Sequence, residues 1–291
     1  MFKAEKGKTT VIIYKQDYHN KVHTFLLENN FQHLPKNPTK KDQTHISKTL
    51  QQCNLVVHKK QIKYLIQKNP SPPTLKAQLK LHKPAVPIRP VVNSRTAPSY
   101  SVAKKLNEIL KQRLNMDNSY TIDNSTKLAH DLTKLTISDS HRLIDLDIRD
   151  LYVNIPITET IDIARAQLLK QNNNNITEQI CTLLEMVLQQ NYLEFQAQIY
   201  QLTPISGITA EIFLRNLEQS HLNLLLDSKH ITFYARYVDD ILIIYDASRN
   251  NLDAITQYAV CIHHSLQFNP TLESYDWINF LDLSIIRKPP N

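Results

Sequence analysis

Apolar positions recur along this chain at two periods, and they lay out the elements before any chemistry is considered. Val102, Leu106, Ile109, Leu110 and Leu114 share one helical face and predict a helix over 102–114. Ile180, Leu183, Leu184, Val187 and Leu188 do the same in a helix predicted over 177–192, after the asparagine tract at 172–175. Helices are also expected near 18–29, 158–170, 209–226 and 252–266. The stretch 35–73 is polar, lysine-rich and bounded by proline, as short helices joined by loops would be.

Strands show other patterns. A β-branched run up to Tyr14 follows a basic turn at the start of the chain. Between 75 and 94, Pro84, Pro87 and Pro90 forbid a regular helix and suit an extended, edge-like segment. The run from His141 to Tyr152 is short, apolar and soon followed by Pro156, so it reads as a strand. Two more apolar strands flank Asp239 and Asp240, and a last strand is expected over 278–286. Strands and helices mix irregularly and no segment repeats, so the fold class is α+β.

Composition narrows the function. Only Gly7 and Gly207 are present in 291 residues, which excludes phosphate loops of the Walker A or Rossmann type. The net charge of +7 is unevenly placed: 36–105 carries fifteen Lys or Arg against a single acid, Asp42. Such a run serves equally as a solvated face or as a contact for a polyanion. Cys53, Cys181 and Cys261 lie far apart, so neither a disulfide framework nor a zinc knuckle is signalled, and a reducing, intracellular compartment is expected. There is no apolar run near the length of a membrane span, so no membrane role is expected. His19 and His23 lack a third ligand and read as surface or core residues, as does the pair His263 and His264.

The acids carry the chemistry. Asp239-Asp240 between apolar strands could be an ordinary hairpin tip, because Asp is a poor strand residue and a good turn residue. Asp147 ends another apolar strand, and a strand tip beside a hairpin tip brings three carboxylates together. Clustered carboxylates raise one another's pKa unless cations neutralise them. Mg2+ takes a few carboxylates plus substrate phosphates, and a pair of such ions suits in-line phosphoryl transfer to a hydroxyl.

The order and spelling of the segments resemble reverse transcriptases, most closely those of Penelope-like retroelements. The matching segments are Lys3-Ala-Glu-Lys-Gly-Lys-Thr-Thr-Val-Ile, Leu79-Lys-Leu-His-Lys83, Ile88-Arg-Pro-Val-Val-Asn-Ser94 and Pro98-Ser-Tyr100. Downstream come Leu146-Asp-Ile-Arg-Asp-Leu-Tyr152, Asn191-Tyr-Leu-Glu-Phe195, Ala210-Glu-Ile-Phe213, Tyr237-Val-Asp-Asp240 and Ile278-Asn-Phe-Leu-Asp-Leu283. The resemblance spans nearly the whole chain. It implies an RNA-directed DNA polymerase that extends a primer 3′-hydroxyl, with an RNA or DNA template-primer and deoxynucleoside triphosphates as partners. Two Mg2+ ions, or Mn2+ in their place, would be held by Asp147, Asp239 and Asp240. Tyr152 matches the aromatic steric gate against a ribose 2′-hydroxyl, though a core tyrosine explains it too. Arg89 and Lys80 match cations that hold the triphosphate; for Lys80 a solvated position is the alternative.

The implied fold is a right-hand polymerase core of fingers and palm, with the thumb largely missing. Fingers with a basic N-terminal region would occupy 1–140. The palm would occupy 141–291, with a fingers insertion at 157–192. A nuclear location is implied, and the oligomeric state is left open. Thr203-Pro-Ile-Ser-Gly207 resembles the end of the family's glycine-containing loop, with several preceding residues absent. The backbone there approaches the nascent base pair, so Gly207 is a candidate substrate-binding residue. The shortened loop sustains a competing reading, a truncated, catalytically inactive remnant that only binds nucleic acid.

Overall fold

The computed structural model describes residues 2–4, 10–81, 84–114, 120–201, 207–227 and 231–288. Gly7, Lys83 and the loop residues 202–206 lie outside the described residues.

The chain opens with β1 (Phe2–Lys3) and β2 (Thr10–Val11), a short antiparallel pair. The expected strand does not continue to Tyr14, because Ile12 and Tyr14 face solvent and give it nothing to pack against. In α1 (Lys15–Glu28), Tyr18, Val22 and Leu26 are buried at intervals of four. After β3 (Gln32–Leu34) come α2 (Thr39–Gln52) and α3 (Lys59–Leu65), the short helices expected of the lysine-rich stretch. His58 and Gln61 form a capping box that starts α3. The proline-rich segment is not one strand but a hairpin, β4 (Thr74–Leu79) with β5 (Ile88–Asn93), and α4 (Tyr100–Arg113) follows.

Next are α5 (Ser125–Leu132), capped by the Asn124 side chain, and β6 (His141–Ile148). Tyr152 does not continue that strand; it lies in the single turn α6 (Leu151–Asn154). Then come α7 (Ile157–Leu169), α8 (Asn174–Gln189), β7 (Tyr192–Phe195) and β8 (Gln198–Gln201). The chain ends with α9 (Gly207–Asp227), β9 (Ile231–Tyr237), β10 (Asp240–Asp246), α10 (Leu252–Ile262), β11 (Phe268–Leu272), β12 (Trp277–Phe280) and β13 (Leu283–Ile286).

These elements form two compact units. Met1–Arg113 with Leu168–Ile205 makes the first, and Leu114–Gln167 with Ser206–Asn291 the second. The first is built on a five-stranded sheet, ordered β3-β8-β7-β4-β5. Its buried residues Leu75, Ala77, Leu193, Phe195 and Tyr200 pack with Tyr18, Val22 and Leu26 of α1. The Ala77 amide donates to the Tyr18 hydroxyl at 2.8 Å, which satisfies a polar group that burial would otherwise strand.

The second unit holds an antiparallel sheet ordered β11-β6-β10-β9. Side chains alternate across it, so each strand feeds two cores. Ile144, Leu146, Ile148, Ile241 and Ile243 pack with Phe213, Leu214 and Leu217 of α9 and Ile255 of α10. On the opposite face, Leu143, Leu242 and Ile244 pack with Ile278 and Phe280 of β12 and Leu128 of α5. Burial on both faces explains why β6 and β10 read as nearly continuous apolar runs.

Tight turns fall on residues other than glycine. Ala85, Val86, Asp150, Gln196, Ala197, Val238, Tyr275, Asp276 and Leu281 all have φ between 47° and 64°. Such left-handed positions are uncommon for side-chain-bearing residues, most of all for β-branched Val86 and Val238. Among the described residues, no helix is long and apolar enough to cross a membrane.

Candidate active site

The β9–β10 hairpin carries Asp239 in its turn and Asp240 at the head of β10. β10 pairs with β6 in a register that sets Asp240 directly opposite Asp147. The Ile148 amide donates to the Asp239 carbonyl at 2.9 Å. That bond makes 148–239 the hydrogen-bonded pair, so 147–240 is the non-hydrogen-bonded one, the type whose Cα atoms lie about 4.5 Å apart. A strand tip and a hairpin tip are therefore locked together by ladder geometry. All three acids are half-buried.

A fourth acid, Asp145, shares the face of Asp147 and Asp240. It lies two residues before Asp147 on β6, on the side of the sheet that carries Leu143, Leu242 and Ile244. Burial, then the charges of Asp240 and Asp147, push its carboxyl up from 3.8 to about 7. Its buried Oδ1 has no hydrogen-bond partner among the described residues. Period-two counting back from Asp147 would have flagged it.

Carboxylates held close together suit a hard divalent cation. Among the described residues, no group of three or more His, Cys, Asp or Glu could by itself hold a metal ion. The donor set still fits Mg2+, which is usually bound by one or two carboxylates, waters and substrate phosphates rather than by an all-protein cage. The register brings Asp147 and Asp240 opposite each other, with Asp239 next in the turn.

The other sequence candidates fall in both units. Tyr152 is half-buried in α6 and packs against the core formed by β6, β10 and α9. In the first unit, Lys80 and Arg89 belong to the β4–β5 hairpin. Lys80 follows β4 and is half-exposed, with its amide closing the turn onto the Pro87 carbonyl at 2.9 Å. Arg89 is exposed on β5, opposite Gln78. The Lys21 ammonium donates to both the Ala85 and Val86 carbonyls at 3.0 Å, fixing the left-handed tip of that hairpin. Gly207 is the exposed first residue of α9, and an added Cβ would meet nothing within 4 Å. Packing among the described residues does not demand glycine there.

One network was not foreseen from the sequence. Arg236, in β9, is only 1% exposed. Its Nε and Nη2 donate to the two carboxylate oxygens of Glu218 at 2.5 and 3.1 Å, and its Nη1 donates to Glu211 at 3.1 Å. Glu211 and Glu218 lie seven apart on one face of α9. Arg215 stands 3.6 Å from Glu211, and the Tyr234 hydroxyl donates to Glu218 at 3.1 Å. Burial alone would push the Arg236 pKa down, but hydrogen bonds to and the charges of Glu218 and Glu211 more than offset it and hold it above the ordinary value. Burial and the charge of Glu218 push the Tyr234 hydroxyl well up.

His19 and His23 flank Phe195 edge-on, with ring centroids 5.8 and 5.4 Å away, and both reach the Gln196 side chain. His263 stands edge-on to Phe213 and pairs with Glu159 at 3.0 Å.

No protein-family model matches the chain, and no curated protein matches it in sequence. Solved structures do match. Telomerase from Candida albicans, in complex with a fragment of telomeric RNA, aligns over 94% of this chain and 49% of its own, with TM-score 0.59 and 12% identity. Apo telomerase from Candida tropicalis aligns over 93% and 50%, with TM-score 0.60 and 12% identity. The fold is that of a right-hand polymerase core, present in part. This chain spans about half the length of those telomerase chains.

Proposed function

We propose that this chain is the catalytic core of a reverse transcriptase of the Penelope-like kind, which adds deoxynucleotides to a primer 3′-hydroxyl on a nucleic-acid template. The observation that carries the reading is the register pairing of Asp147 with Asp240, next to Asp239, within a polymerase fold. The collinear motifs from Leu79 to Leu283 supply the retroelement assignment. The unit holding β6, β9 and β10 would be the palm. The unit holding the β4–β5 hairpin would supply fingers.

Divalent Mg2+, when bound by Asp147, Asp239 and Asp240, supplies charge neutralisation for the attacking and leaving oxygens. The chain's own residues do the rest. The β6–β10 ladder holds the backbones of Asp147 and Asp240 opposite each other, which would limit reorganisation as charge develops. Arg89 offers a planar fork to phosphate oxygens and Lys80 a point charge. The Tyr152 ring, packed against the core, would stand against a ribose 2′-hydroxyl. The basic 36–105 segment contacts template and primer phosphates, which makes binding fall with salt.

Primer extension tests this reading. An RNA-templated primer should be extended by deoxynucleotides, and Tyr152→Ala should admit ribonucleotides. Salt-dependent binding with no extension, in conditions where a control polymerase works, would instead favour the binding-only remnant suggested by the shortened loop before Gly207.

A further inference from the structure

We propose that Arg236 is a positioning residue: its buried guanidinium braces the turn Tyr237-Val-Asp-Asp240 and ties it to α9. Three observations converge. First, Arg236 Nη1 donates to the Val238 carbonyl at 3.2 Å, inside the turn that carries Asp239. Second, Val238 holds φ at 58°, a left-handed conformation that a β-branched side chain rarely adopts and that the surroundings must impose. Third, the other edge of the guanidinium is saturated. Glu218 takes two bonds, Glu211 takes bonds from Nη1 and Nη2 at 3.1 and 3.3 Å, and Thr121 Oγ1 accepts at 3.1 Å.

A buried ion pair of this kind is weak evidence for stability, since packed apolar residues of similar volume often serve as well. Its geometry is what apolar residues cannot copy. The rigid planar fork spans two carboxylates of one helix, a threonine and a turn carbonyl at once. Glu211 lies one turn into α9, the helix that begins at Gly207. Arg236 thus makes the carboxylate turn and the start of α9 a single rigid body. A Lys in its place keeps the charge but loses the fork. The turn would then relax away from the left-handed shape and carry Asp239 with it.

The kinetic arm of the test rests on the polymerase reading; the structural arm does not. Four proteins are compared: wild type, Arg236→Lys, Val238→Gly and the double variant. Hydrogen exchange is followed at 237–241, and single-nucleotide incorporation is measured per folded molecule. Arg236→Lys should speed exchange in that segment at least tenfold. It should also lower kcat by about tenfold or more, the scale expected when a reacting group shifts by a fraction of an ångström, with KM for nucleotide unchanged within about twofold. Glycine takes a left-handed φ without strain, so Val238→Gly in the Arg236→Lys background should restore much of kcat. A merely structural role would lower Tm and leave kcat per folded molecule intact, with no rescue. That result, or unchanged exchange in Arg236→Lys, would overturn the proposal. If wild type extends no primer but exchange responds as stated, the brace stands and the polymerase reading fails.

Discussion

Asp147 and Asp240 face each other as register partners across the β6–β10 ladder, and Asp145 lies two residues along the same strand on the same face. Burial first, and then the charges of Asp240 and Asp147, push the folded Asp145 carboxyl up from 3.8 to about 7. Below 3.8 both folded and unfolded chains hold the proton, and nothing is lost. Between 3.8 and about 7 only the folded chain holds it, so stability falls as pH rises through that window and levels off above it. Asp145→Asn should therefore leave Tm unchanged near pH 4 and raise it near pH 8, by about 2–4 °C for each kcal/mol relieved. Thermal melts of both proteins across that range check the sign.

Addition of Mg2+ at pH 8 should raise the Tm of wild type, because a ligand that binds only the folded state stabilises it by mass action. Asp147→Asn and Asp239→Asn should lose most of that gain, while Asp246→Asn, at the far end of β10, should keep it. Equal gains in all four proteins would mean that the carboxylate cluster is not the site of binding.

Gly207 separates a packing requirement from a ligand requirement. Because a Cβ there meets open space, Gly207→Ala should leave stability unchanged or raise it by up to about 1 kcal/mol. Affinity for template-primer or nucleotide should nevertheless fall if the backbone at that point must approach substrate. Melts alongside binding isotherms read the two effects independently.

Lys21 does for the β4–β5 tip what Arg236 does for the β9–β10 turn: a cation caps the carbonyls of left-handed residues. Lys21→Met should change stability by less than about 1 kcal/mol, as expected of a largely exposed interaction. It should also loosen the hairpin holding Lys80 and Arg89, and raise KM for nucleotide severalfold with kcat nearly constant. A kinetic split in the opposite direction would remove those residues from nucleotide binding.

Much of the architecture was legible because hydrophobic periodicity dominates where burial is one-sided or complete. The helices α4 and α8 follow it, while the strands β6 and β10 show as short apolar runs. The β7–β8 hairpin was hidden because its turn, Gln196-Ala197, takes two left-handed residues without the Asn or Gly that signals such a turn. The same economy of glycine merged β12 and β13 into one expected strand, since Leu281 turns the chain between them. β11 escaped because it is a mostly exposed edge strand containing Pro270. Among the candidate residues, Asp147, Asp239 and Asp240 stand out in the sequence as types in a spacing, but the register that pairs 147 with 240 is a property of the folded sheet. Arg236 is a cation in a strand with no carboxylate partner nearby in sequence to mark it. Its partners Glu211 and Glu218 come from a distant helix, and only the tertiary fold brings them to it.

Single-nucleotide incorporation on a primed RNA template, with wild type and Asp147→Asn compared at matched template occupancy, bears most directly on the carboxylate pair. Wild type should incorporate deoxynucleotide in a Mg2+-dependent manner. Asp147→Asn should bind template equally well and lose about three orders of magnitude or more in rate, the equivalent of several kcal/mol of transition-state stabilisation. Equal rates in the two proteins would contradict a catalytic role for the Asp147–Asp240 pair.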